Sequence, residues 1–125
     1  MRLSDLLVYD RIIIQCHDNP DADSIASGFA LLTWFREKKK DASLIYSGRA
    51  RISKPNLLLM VKELEIPIEH AESIGDFDGL LITVDCQYGA VNVKRFDAQN
   101  VAIIDHHQQE IYDRSQSEIR SFLGS

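Results

Sequence analysis

At 125 residues the chain is long enough for one core and too short to expect a second domain. Apolar residues at 45% and charged residues at 26% exclude a disordered chain, and no apolar run is long enough to span a membrane, so a cytoplasmic protein without membrane contact is expected. A formal net charge of -5 excludes general attraction to nucleic acid, and two cysteines outside any C-x-x-C pair exclude a disulfide framework.

Arg11 to Cys16 (RIIIQC) is a β-branched run that stops at the turn-prone HDNPDADS, which predicts a strand feeding a loop. From about Asp23 to Lys39, Ile25, Phe29, Leu32 and Ala26, Ala30, Trp34 recur at helical spacing, and the closing lysines suit a helix C-terminus. Ala42 to Tyr46 predicts a second strand, ended by Ser47-Gly48. Ser53 is a candidate cap for a helix from about Lys54 to Leu64, with Pro55 in the first turn and Leu57, Leu58, Val61 and Leu64 on one side. Gly79 to Val84 and Asn100 to Ile104 read as continuous apolar strands covered on both faces, with YGAVNVKRFD between them as a turn or short helix. This alternation implies an α/β, doubly wound, mostly parallel sheet with helices on both faces.

In such sheets ligands gather at the carboxyl ends of the strands. Three predicted strands end in polar clusters there: His17 to Ser24, Asp85, and Asp105-His106-His107. Carboxylates brought together repel unless neutralised, and a divalent cation is the usual neutraliser. Carboxylate and imidazole ligands without grouped thiolates suit Mn²⁺ first, then Mg²⁺, with Co²⁺ or Zn²⁺ as further options. Two ions about 3.5–4 Å apart can clamp both oxygens of an in-line phosphoryl displacement.

The wording of these clusters (CHDNPDADSIASG, LLITVDCQYGA and NVAIIDHH) resembles the three motifs of the DHH-motif phosphoesterase family, in order, over about Ile12 to His107. The resemblance implies that His17 and Asp21 bind one ion, that Asp23 and His106 bind the other, and that Asp85 bridges them with a nucleophilic hydroxide between. It makes His107 a phosphate contact or proton donor to the leaving group, and Asp105 a group orienting the histidines. It also implies a further aspartate ligand and a C-terminal substrate-binding domain, neither of which is found before Ser125; Asp113 stands too close to Asp105 to be that ligand. Residues 1–125 are therefore expected to form the DHH-type domain, which alone would turn over substrate poorly.

Resemblance to RecJ-like and oligoribonuclease-like members implies a nucleotide or short oligonucleotide as substrate; pyrophosphate or polyphosphate is the alternative within the family. A non-catalytic nucleotide- or partner-binding module is the rival from another class, and the oligomeric state is not legible. Arg49 and Arg51, after the second strand, are candidate phosphate contacts against a solvated loop. Asp18 reads as a solvated or supporting residue, Asn19 and Pro20 as loop formers, Ser24 as a possible helix cap, and Gly28 as a close-packing position. His70 reads as a surface or edge residue, and Cys16 and Cys86 as buried thiols pointing away from the ligands.

Overall fold

Three consecutive isoleucines give β1 (Arg11–Gln15) a strong extended preference, and their alternation splits the core between two faces. The computed structural model describes residues 2–84, 96, 98, 100–105, 110–113 and 118–121, with backbone alone from residue 105 onward. After β1 come α1 (Ala22–Glu37), β2 (Asp41–Tyr46), α2 (Pro55–Glu63), β3 (Ile68–His70), β4 (Leu80–Val84) and β5 (Asn100–Asp105). Two further strands, β6 (Glu110–Asp113) and β7 (Glu118–Ser121), complete the described elements, and a 3-10 helix spans Leu3–Val8.

The sheet order is β3-β2-β1-β4-β5-β6-β7. The first five strands in that order pair in parallel, while β6 and β7 pair antiparallel. This is the α/β, mostly parallel sheet that the sequence predicts. Chain order runs outward from β1 to β3 on one side and from β4 to β5 and beyond on the other. The topological switch therefore lies between β1 and β4, where such sheets leave a crevice for ligands.

One core packs Ile12, Ile14, Leu44 and Ile82 of the sheet against Ile25, Leu32 and Phe35 of α1 and Leu57 of α2. On the opposite face Ile45, Leu81 and Val101 meet Phe96 and Ala98, with Ile74 also packed there. Both described helices thus cover the same face, and the predicted turn or short helix at YGAVNVKRFD lies, apart from Phe96, outside the described residues.

The buried stripe of α1 is Ser24, Ile25, Gly28, Leu32 and Phe35. Ala26 and Ala30 are exposed, because that stripe rather than the alanine row faces the sheet. Gly28 has the predicted packing role: a Cβ there would stand 2.7 Å from Leu44 Cδ1 and 3.1 Å from Cys16 Sγ. On α2, Leu57 is buried whereas Leu58 and Leu64 are about half exposed, so the predicted four-leucine/valine side is only partly covered.

The predicted caps need correction. Asp21, not Ser24, caps α1, and the N-cap position of α2 is Lys54, with no side-chain bond and Pro55 in the first turn. Neither helix ends on glycine: Lys39 and Glu65 take the left-handed conformation after the helix ends, at φ 67° and 52°.

Candidate metal centre

The loop leaving β1 is built by three local devices. Asn19 takes φ 56°, a left-handed conformation that asparagine tolerates better than most residues. Pro20 is buried and fixes the next step of the backbone. Asp21 then accepts the Ser24 N–H at 2.8 Å, satisfying one of the free amides at the start of α1. Cys16 turns the other way, fully buried, with its Sγ donating to the Ser24 carbonyl at 3.4 Å, as strand alternation requires.

His17 Nδ1 donates to the Asp18 carbonyl at 2.8 Å. In the neutral ring this fixes the tautomer and leaves Nε2 as a bare lone pair. That atom lies 3.8 Å from Asp21 Oδ1, too far for a hydrogen bond, with the histidine side chain 13% exposed and the aspartate 65%. Two lone-pair donors held side by side suit a shared cation. Asp23, one step into α1, is exposed in the same first turn.

The other predicted ligands follow neighbouring strands in the sequence. Gln15 pairs with Thr83 and Val84 pairs with Ile104, so β1, β4 and β5 end level with one another. Asp105 is the last residue of β5. Chain continuity puts Asp85 one residue beyond Val84 and His106 one residue beyond Asp105. Asp85, His106, His107 and Cys86 themselves lie outside the described residues, as does the Asp105 side chain. Asp113 sits on β6 opposite Ala102, three register steps back from Asp105, or about 10 Å into the sheet.

The family model of the DHH family, N-terminal domain, matches residues 11–122. The chain belongs to the DHH family. Membership places it in a phosphoesterase-type superfamily of generally metal-dependent hydrolases. No curated protein gave a significant match. Among the described residues no three His, Cys, Asp or Glu side chains come together as a metal site; the described part of this DHH domain contributes donors of a type that suits a divalent cation, the His17 imidazole and the carboxylates of Asp21 and Asp23. Ser24 Oγ and Thr83 Oγ1 are buried with no hydrogen-bond partner among the described residues. Among the described helices none is long and apolar enough to cross a membrane.

A second loop abuts the first. Gly48, at φ +96°, packs so closely on Asp18 that a Cβ would stand 2.9 Å from that residue's Cβ. Asp18 is thus half-buried between the loops rather than simply solvated. Arg49 and Arg51 follow, both exposed, and among the described residues neither makes an ion pair. The side chains holding this loop escaped the sequence reading. His70, on the edge strand β3, donates from Nε2 to the Gly48 carbonyl at 2.8 Å, and Tyr46 Oη accepts the Ile52 N–H at 2.9 Å. The signal available was weak: a histidine after a short apolar stretch, separated by 22 residues from its partner.

Proposed function

We propose that this DHH domain takes part in hydrolysing a phosphodiester or phosphoanhydride bond of a nucleotide or short oligonucleotide, by a two-metal mechanism that uses Mn²⁺, with Mg²⁺ or Co²⁺ as substitutes. The observation that carries this reading is the freed His17 Nε2 facing the Asp21 carboxylate at the topological switch. His17 and Asp21 would hold one ion, Asp23 and His106 the other, and Asp85 both. A bound ion pair supplies charge neutralisation and activation of water for in-line displacement.

The protein's own groups do the rest. The Asp18 carbonyl keeps the His17 ring in one tautomer and orientation. The cap bond from the Ser24 N–H holds the Asp21 carboxylate still through Oδ1, the same oxygen that lies 3.8 Å from His17 Nε2, and leaves Oδ2 and a second lone pair of Oδ1 for a cation. His107 is proposed to contact the phosphate or give a proton to the leaving oxygen, and Asp105 to orient the histidines. Arg49 and Arg51 are proposed to bind substrate phosphate. A C-terminal domain of the same protein is proposed to complete the substrate cleft.

The test is manganese-dependent hydrolysis of bis(p-nitrophenyl) phosphate by the full-length protein against its Asp85→Ala variant. A loss on the order of 10²-fold or more is expected, since the substitution removes charge at the reacting centre. Equal activity of the two would eliminate the two-metal reading and favour a non-catalytic module.

A further inference from the structure

We propose that His70 and Tyr46 are positioning residues that fix the Gly48–Ile52 loop so that Arg49 and Arg51 stand as a pre-set cation pair beside the acidic loop; this rests on the phosphate-binding role given to those arginines above. The loop is pinned at both ends. At its start the Gly48 carbonyl accepts from His70 Nε2 at 2.8 Å, and at its end the Ile52 N–H donates to Tyr46 Oη at 2.9 Å. The two pinning rings lock each other, 5.2 Å apart and edge to face at 79°. The Ala71 N–H donates to the Tyr46 carbonyl at 2.9 Å, so the strand carrying His70 stays in register with the strand that leads into the loop.

Between the pins lie Arg49, Ala50 and Arg51, all exposed. Among the described residues some cations are engaged elsewhere, whereas Lys39, Lys54 and Lys62, like the two arginines, make no ion pair. Arg11 pairs with Asp78 and Asp41, Lys40 pairs with Asp10, and Arg36 donates to the Ala42 carbonyl. In a chain of net charge -5, two arginines that make no ion pair among the described residues, carried on a doubly pinned backbone, are suited to an anion. Gly48, at the start of this loop, packs against Asp18 of the acidic loop. Holding the backbone in advance spares the ordering cost that a free loop would incur on binding.

Two readouts test this on the full-length protein. Amide hydrogen exchange of Ile52 is expected to be slow in the wild type, faster in His70→Leu and Tyr46→Phe, and slow again in His70→Gln, which restores an N–H donor. Calorimetric binding of ADP with Mg²⁺ is expected to weaken about tenfold in His70→Leu and to recover in His70→Gln. In an Arg49→Ala/Arg51→Ala background the same His70→Leu change should have no further effect on ADP, because its influence runs through the arginines. A purely structural histidine would instead lower melting temperature in both backgrounds and leave ADP affinity alone. An unprotected Ile52 amide, no ADP binding by the wild type, or an equal His70→Leu effect with and without the arginines overturns the proposal. Intact ADP behaviour with no manganese-dependent phosphodiesterase activity would instead retire the hydrolase reading.

Discussion

The loops after β1 and β2 leave neighbouring strand ends and touch through Asp18 and Gly48, yet they are held in opposite ways. The first, acidic loop is fixed from within: a left-handed asparagine, a buried proline and a helix cap, all inside eight residues of HDNPDADS. The second, basic loop is fixed from outside, by a tyrosine before it and a histidine 22 residues past Gly48. Local devices leave a sequence signature and distant ones do not. The same contrast separates their expected responses to substitution.

The largest expected effect falls on the acidic loop, where Asp21 serves both as helix cap and as proposed ligand. Asp21→Ala should lower stability by about 1 kcal/mol through the lost cap and also abolish metal-induced stabilisation. Asp21→Asn separates the two, since asparagine caps equally well but is a poor ligand: urea unfolding without metal should be nearly unchanged, while the manganese-induced rise in melting temperature disappears. A rise that survives Asp21→Asn would remove Asp21 from the ligand set.

Gly28→Ala comes next, because it tests the packing beneath that loop. The added methyl meets Leu44 and Cys16, and overpacking of this kind costs roughly 1–3 kcal/mol in urea unfolding. No change would mean that Leu44 Cδ1 yields freely. The last variant is Gly48→Ala, where the left-handed φ alone costs about 1–2 kcal/mol and the Asp18 contact adds to it. If the basic loop is indeed held from outside, this variant should also hasten exchange of the Ile52 amide while leaving α1 amides unchanged; faster exchange in α1 would show that the two loops are one unit.

How far the fold was legible follows the same division. β1, β2, β4, β5 and both described helices announce themselves through apolar runs and helical periodicity. β3, β6 and β7 do not, because IEH, EIYD and EIRS are short, charged segments whose strand character comes from a neighbour's backbone rather than from their own side chains. The face of α1 was only half legible: Phe35 is buried while Ala26 and Ala30 are exposed, since alanine fits either environment and periodicity cannot choose between adjacent stripes. The caps were misassigned to Ser24 and Ser53, which share the acceptor chemistry of Asp21 but not its position. Of the proposed ligands, His17, Asp21 and Asp23 share one short motif. The brace of His70 and Tyr46 is a tertiary fact, and no local pattern encodes it.

Anomalous diffraction at the manganese edge, from crystals of the protein grown with Mn²⁺, bears most directly on the central claim. The expected map has a pair of peaks at the carboxyl ends of β1, β4 and β5, with His17 Nε2 and Asp21 on one, Asp23 and His106 on the other, and Asp85 between them. Peaks elsewhere, or an Asp85 carboxylate remote from His17 and Asp21, would contradict it.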